Sequence, residues 1–401
     1  MAHDLVVVGG GPAGSTCARQ AAQLGLDVLL LEKAVHPRRK ACGGGLTLRV
    51  KETLDFDISR VIERNQCGLR LFGPSGVMVE SYRQEVTGYT VRREDFDHLL
   101  LKKAEEAGAL VIQGKKVTDV REEADKVEIV TDDEIFKAKL LVGADGPNST
   151  VGRKTGLMPG WDDDKIGLCI ESAVPMDPSD IIRISGTPDG GERVFIEIHF
   201  GATPLGYAWA FPKKNEYSLG IGVIVKVMHG LKESWLRFVK RFEERHGVKC
   251  DLSEQTAARV PLGGLVPNMC SKRTMLVGDA AGFVSPTTGE GIHFAIESSR
   301  IAAKAAHGII SGEVGVTTKS YEKQCRQGIG KDLNIARFLQ KLLFKSTDNM
   351  ERFIQMAYKD DVMKNHAFDL VMGFANHRQI RSRMTKRMLR KHPGQALRLI
   401  V

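Results

Sequence analysis

Apolar residues follow two rhythms along this chain. His3-Asp4-Leu5-Val6-Val7-Val8 and Val28-Leu29-Leu30-Leu31 are short continuous runs, suited to strands buried on both faces of a parallel sheet. Between them, 12–24 is rich in Ala and Gln and predicts a helix. Strand, turn, helix and strand make a βαβ unit, the opening of a doubly wound sheet. Residues 36–50 predict a loop rich in basic residues and glycine. Further on, the pattern predicts a helix over 91–107 and a strand over 109–113. Antiparallel strands follow over 117–142, ending in Lys139-Leu140-Leu141-Val142. From 160 to 265 it predicts mostly strands, with turns at Pro188-Asp189-Gly190-Gly191 and Pro212-Lys213-Lys214-Asn215. A strand returns at 274–277, a helix at 290–311, and 318–391 stays helical with almost no Gly or Pro.

These elements predict an α/β protein with a split dinucleotide-binding domain, 1–155 and 271–315. An antiparallel β-rich substrate domain is inserted at 156–270, and a helical, basic region fills 316–401. A chain of 401 residues suffices for two or three folding units. With 42% hydrophobic and 27% charged residues it is not a disordered chain. No apolar run approaches the ~20 residues that span a bilayer. Leu5–Val8 runs straight into a glycine turn, so no signal peptide is expected. Seven cysteines without a CxxC pair point to a reducing, cytoplasmic setting, and no metal site is expected. The net charge of +9 is regional: 331–401 holds 15 Lys+Arg against 6 Asp+Glu, and the rest is balanced.

Three glycine-rich turns carry candidate chemistry. Gly9-Gly10-Gly11-Pro12-Ala13-Gly14 fits G-x-G-x-x-G. Gly9 permits a tight turn, Gly11 lets the backbone approach a pyrophosphate, and Gly14 lets the helix pack on its strand. The helix N-terminus then offers free N–H groups to phosphate. Glu32, at the end of the second strand, accepts hydrogen bonds from ribose hydroxyls and repels a 2′-phosphate, which suits FAD or NAD rather than NADP. Gly143-Ala144-Asp145-Gly146 and Val277-Gly278-Asp279-Ala280 each set an Asp among small residues directly after an apolar strand.

In this order and spacing the three turns resemble the flavoprotein hydroxylase fold group, the architecture of para-hydroxybenzoate hydroxylase. The resemblance implies that Gly9, Gly11, Pro12, Ala13, Gly14, Glu32 and Lys33 hold the ADP part of FAD. It places Asp145 and Gly146 near FAD and the pyridine nucleotide, and Gly278 and Asp279 at the ribityl chain. Arg93, in Arg93-x-x-Phe96-Asp97, is similar to the group's FAD-contacting arginine. The helix after Gly289-Glu290-Gly291 offers the backbone N–H groups of Gly289, Gly291 and Ile292 to the negative charge of a reduced flavin.

Two further motifs narrow the resemblance. Tyr207-Ala208-Trp209-Ala210-Phe211-Pro212, seven residues and then Gly220-Ile221-Gly222, is similar to the geranylgeranyl reductase family. So is Lys40-Ala41-Cys42-Gly43-Gly44-Gly45. The resemblance covers about 1–310. In a strand, Tyr207, Trp209 and Phe211 point to one face, a wall for a long apolar chain. Cys42 follows Arg38, Arg39 and Lys40, and cationic neighbours favour a reactive thiolate. The same basic residues, Lys40 among them, suit a diphosphate or phospholipid head group. The family places the Cys42, Gly43 and Gly44 loop beside the isoalloxazine ring.

The expected activity is FAD-dependent saturation of double bonds in a polyprenyl chain, with Cys42 and Tyr207 as candidate proton donors. With no second G-x-G-x-x-G, the reductant is NAD(P)H docking transiently or a protein such as reduced ferredoxin. Two other readings share the fold: a flavin monooxygenase, and a prenyl-lipid carrier without redox chemistry. Ile380, Met384 and Met388 recur at helical spacing among the basic residues of 378–398, which suits peripheral contact with an anionic membrane. The run lacks interleaved aromatics, so no nucleic-acid partner is expected.

Overall fold

The computed structural model describes residues 2–190 and 193–395. Gly191 of the expected turn and Arg398 of the basic run lie outside them. The chain divides into two compact units, each assembled from three segments.

The first unit takes 1–38, 94–165 and 260–334. Its seven-stranded sheet is built around His3–Val8, which pairs in parallel with Val28–Glu32 on one side and Ile135–Gly143 on the other. Leu110–Gln113 extends the parallel edge, and Thr274–Leu276 joins Ile135–Gly143 in parallel. Leu5, Val6, Val7, Leu29, Leu30 and Leu141 are fully buried, as continuous apolar runs require. The helix Pro12–Gln23 packs on Ile292–Ile310. The facing residues are small, with Ala18 and Ala21 in one helix and Ala302 and Ala306 in the other all buried.

The second unit takes 39–93, 166–259 and 335–401. Its nine-stranded sheet runs from Gln255–Pro261 through Ile166–Pro175, Glu216–Ile224, Gly206–Pro212 and Arg193–Phe200 to Ile62–Phe72, Gly88–Val91 and Gly45–Thr47. One face packs on the helix Leu231–His246, with Ala208, Ala210, Leu219 and Ile221 under Trp235, Phe238 and Phe242. The other face carries Leu69, Leu71, Ile196, Ile198 and Phe200, covered by C-terminal helices through Ile354, Phe368, Ile380 and Met384.

Three expectations are corrected. The β-rich unit is not 156–270 alone, because 39–93 supplies strands to it. Ile62–Phe72 pairs in parallel with Arg193–Phe200, a partner more than a hundred residues away. The C-terminal region does not stand apart as 316–401: 316–334 belongs to the first unit, and helices between 344 and 388 cover the second unit's sheet. The third correction is the helix Leu231–His246 inside the stretch expected to be mostly strand. Its buried Leu231, Trp235, Phe238, Val239 and Phe242 fall on one helical face.

Candidate functional site

In the first unit the three glycine turns leave neighbouring parallel strands at the same end. A Cβ on Gly9 would strike the Ala144 carbonyl, and one on Gly14 would strike the Gly9 carbonyl. A Cβ on Gly278 would lie 2.8 Å from that of Ala13, and one on Gly291 3.5 Å from the Asp279 carboxylate. Gly9, Ala13, Gly14, Asp145, Gly278, Asp279 and Gly291 therefore meet at one place. The helices Pro12–Gln23 and Ile292–Ile310 begin at Gly11 and Gly291, and neither has a side-chain cap. At the start of Pro12–Gln23, Ala13 and Gly14 carry backbone N–H groups of the kind that suit a phosphate.

Glu32 is buried and accepts from the Gly10 N–H at 2.5 Å and the Ala34 N–H at 2.9 Å. An ionised carboxylate has about four acceptor positions, so two remain for a ribose diol. Lys33 is exposed. Gly289 donates to the Ser285 carbonyl at 2.9 Å, closing the turn ahead of Ile292. Arg93 opens the helix Arg93–Glu106.

Asp145 differs from expectation. Its carboxylate accepts from the Ser149 hydroxyl at 2.5 Å and from the Thr150 and Val151 N–H groups at 2.6 and 3.0 Å. It holds the first N–H groups of the helix Thr150–Lys154, whose N-cap is Ser149, and stiffens its own turn; Gly146 beside it has open space where a Cβ would stand. Sequence reasoning also missed Arg38. Instead of charging the Cys42 thiol, Arg38 pairs with the fully buried Asp97 at 3.2 Å, and its guanidinium lies 3.6 Å from where a Cβ on Gly11 would be. A cation thus flanks the phosphate-type turn. The Asp97 signal was the arginine motif's own last residue.

The second unit brings its two motifs together. Tyr207, Trp209 and Phe211 share one face of Gly206–Pro212, opposite Gly222, Gly220 and Ser218 on the next strand. The glycines make room for the indole: a Cβ on Gly220 would lie inside the Trp209 ring. Cys42-Gly43-Gly44-Gly45 crosses over these rings. A Cβ on Gly43 would lie 2.7 Å from Phe211 and 3.1 Å from Trp209, and one on Gly45 2.9 Å from Phe211. Gly44, at φ +74°, is locked to Val91, whose N–H donates to the Gly44 carbonyl at 2.9 Å. Trp209 is 6% exposed, whereas Cys42, Tyr207 and Phe211 are half-buried. Burial pushes the Tyr207 phenol above its usual range, so it keeps its proton.

Beneath these rings lies a residue the sequence did not single out. Glu171 stands beside Gly220 in register and is buried. It accepts from the Ser218 hydroxyl at 3.0 Å and the Thr256 hydroxyl at 3.1 Å. Burial pushes its carboxyl up, against the pull of nearby Lys213 and the two hydroxyls. A lone Glu in an apolar strand was the available signal. Arg39 pairs with Glu254, so the basic cluster before Cys42 is divided.

The helix His377–Lys391 also departs from expectation. Ile380 and Met384 are buried in the unit's own core and Met388 packs against it, so this stripe does not face outward. Arg378, Arg381, Lys386, Arg390 and Lys391 form the exposed face. No helix among the described residues is long and apolar enough to cross a membrane.

Residues 2–168 match the family described as FAD binding domain. A digeranylgeranylglycerophospholipid reductase of Methanothermobacter thermautotrophicus is 32% identical, over 86% of this chain and 88% of the relative. The chain belongs to the digeranylgeranylglycerophospholipid reductase family. A second member, from Methanococcoides burtonii, is 30% identical over 98% of both chains. Among solved structures, a geranylgeranyl bacteriochlorophyll reductase-like protein of Thermoplasma acidophilum superposes with a TM-score of 0.83 at 26% identity, covering 99% of this chain and 98% of its own. A flavin-dependent brominase shares the fold at a TM-score of 0.75 and 19% identity, covering 98% of this chain and 100% of its own. As in its family, the chain is an FAD-dependent oxidoreductase. The resemblance read from the motifs holds, and so does the FAD-binding α/β fold. The uncapped helix starts, the glycine cradle and the free acceptor positions of Glu32 fit a dinucleotide cofactor.

Proposed function

We propose that this enzyme saturates the double bonds of an isoprenoid chain carried on a glycerophospholipid. One observation carries this reading: the Cys42-Gly43-Gly44-Gly45 turn lies directly on Trp209 and Phe211. Two separate stretches of sequence build a single face that is aromatic and thiol-bearing, with Trp209 buried and Cys42, Tyr207 and Phe211 half-buried. The names of the family members supply the substrate class.

Each residue has a role in this reading. Gly9, Gly11, Gly14, Glu32, Arg38 and Asp279 hold the FAD, whose reduced form supplies hydride to an alkene carbon. An isolated trisubstituted alkene is a poor hydride acceptor. Proton transfer to the other carbon therefore precedes or accompanies hydride delivery, and positive charge develops on the tertiary carbon. The faces of Trp209 and Phe211 stabilise that charge, and Tyr207 extends the apolar wall. Cys42 and Tyr207 are the candidate donors. Lys40 and the exposed basic face of His377–Lys391 attract the phosphate-bearing end and an anionic lipid surface. NAD(P)H or reduced ferredoxin would be the source of the electrons.

The test is a substrate comparison. The reduced protein, kept anaerobic, is offered a geranylgeranylated glycerophospholipid, geranylgeranyl diphosphate or a prenylated quinone, and products are followed by mass spectrometry. Mass gains of one H₂ per double bond on the glycerophospholipid, faster than on the others, support the reading. Gains on the diphosphate or quinone alone move the substrate. A hydroxylated product formed only in air replaces the reductase with a monooxygenase.

A further inference from the structure

The Ser218 hydroxyl has one proton and two acceptors. It lies 3.0 Å from a Glu171 carboxylate oxygen and 3.4 Å from the Cys42 carbonyl, and it accepts the Trp209 indole N–H at 3.3 Å. Ser218 is fully buried and Glu171 nearly so, so bulk water does not compete for the bond between them. A hydroxyl donates once and accepts twice. When Glu171 is ionised, Ser218 donates to it and the Cys42 carbonyl loses that donor. When Glu171 is protonated, the carboxyl donates to Ser218. Ser218 then turns its own proton to the Cys42 carbonyl, and every group in the cluster is satisfied.

We propose that Glu171 is a positioning residue that latches the Cys42 turn through Ser218 when protonated and releases it when ionised. On ionisation the Glu171 O–H breaks and its proton leaves to solvent, Ser218 turns its own proton from the Cys42 carbonyl to the carboxylate, and no other covalent bond changes. Other bonds of the turn hold Gly44: the Val91 N–H donates to its carbonyl, and its own N–H points to the Cys42 sulfur at 3.4 Å.

The charges around Glu171 allow the switch. Lys213 is close and buried, but it is paired with Glu216 at 3.1 Å. Arg39 is paired with Glu254. Lys40 acts on Cys169, two positions from Glu171 on the same strand face. Burial pushes the Cys169 thiol up to about 12, so it does not titrate beside Glu171. Burial raises Glu171 itself, which moves its titration toward neutral pH. The latch does not depend on which lipid is reduced, because it is read without substrate.

The experiment is amide hydrogen exchange of the intact, FAD-loaded protein across 42–45, corrected for the intrinsic pH dependence of exchange. In the wild type, protection falls about threefold to tenfold as pH rises through the Glu171 titration, the range one net hydrogen bond supplies. Glu171→Gln carries a permanent donor and holds the high level at every pH. Ser218→Ala holds the low level at every pH. Thr256→Val removes a donor to the ionised form and shifts the step to higher pH without abolishing it, which tests the proposal even if a Glu171 variant folds poorly. A wild type with no pH step, a step that survives in Glu171→Gln, or a midpoint unmoved in Thr256→Val overturns it. Absence of lipid reduction would count against the proposed substrate and leave these readouts untouched.

Discussion

Trp209 owes its place to the absence of side chains around it. The indole lies over Gly220 and under Gly43, and its N–H reaches Ser218. Gly220→Ala should push the ring out of register with Cys42 and Phe211, at about 1–3 kcal/mol in stability. Turnover should drop at least about tenfold while bound flavin per protein, read from its absorbance, stays constant; loss of flavin instead would mean the residue acts through the fold. Glu32→Ala has the opposite signature. It removes the acceptor for two backbone N–H groups and the ribose diol, so flavin content should fall during gel filtration. Both positions were legible in the sequence, because glycine at a close approach and an acid at a strand end each have a physical reason to be there. Glu171 and Ser218 were not. A polar residue in a strand shows its purpose only when the strands are paired, and Glu171 meets Ser218 across a register set by tertiary structure.

At the scale of elements, helix ends are held by carboxylates. Asp360 caps Asp361–Val371 through the Val362 N–H at 3.0 Å and binds Arg387 at 2.7 Å and His392 at 2.9 Å. It ties the last helix to the sheet-covering bundle. Asp360→Ala should cost about 1–3 kcal/mol, and faster amide exchange should be confined to His377–Lys391. Exchange that rises equally across the second unit would contradict a local tie. Glu322 acts likewise in the first unit. Burial opposes its charge, yet Lys319 at 2.8 Å and Arg326 at 2.7 Å hold the carboxyl down to about 2. A depressed native pKa stabilises the fold above the ordinary glutamate range and loses that contribution as pH falls toward 2. The melting-temperature gap between wild type and Glu322→Gln should therefore be widest near neutrality, begin to narrow as pH falls through the ordinary glutamate range, and close only toward pH 2. A gap independent of pH would show that charge is not its source. Helical periodicity identified the C-terminal helices, but it could not say which side their apolar stripe would face. Ile380 and Met384 found a core to enter, so the stripe was a packing surface.

For the whole molecule, the chain passes repeatedly between two units, and this interleaving was the least legible feature. The βαβ opening announces itself within 35 residues because its partners are near in sequence. The Ile62–Phe72 strand finds its parallel neighbour at Arg193–Phe200, and no local pattern encodes that pairing. The charge distribution was legible, and it leads to a molecular prediction. With Ile380 and Met384 buried, His377–Lys391 would meet an anionic membrane chiefly through the charge of Arg378, Arg381, Lys386, Arg390 and Lys391, with Leu389 the exposed apolar side chain among them. Cosedimentation with phosphatidylglycerol vesicles should weaken steeply as salt rises. It should be reduced several-fold by Arg381→Gln with Lys386→Gln and Arg390→Gln. Salt-insensitive binding would contradict an electrostatic contact.

The central claim is that electrons held by the flavin end on an isoprenoid double bond. A single-turnover titration tests it most directly. The photoreduced protein is mixed anaerobically with a geranylgeranylated glycerophospholipid, and the return of the oxidised flavin spectrum is compared with the lipid's gain in mass. The account predicts one H₂ gained per flavin reoxidised, with no oxygen needed. Flavin that stays reduced beside the lipid and reoxidises only when oxygen is admitted would contradict it.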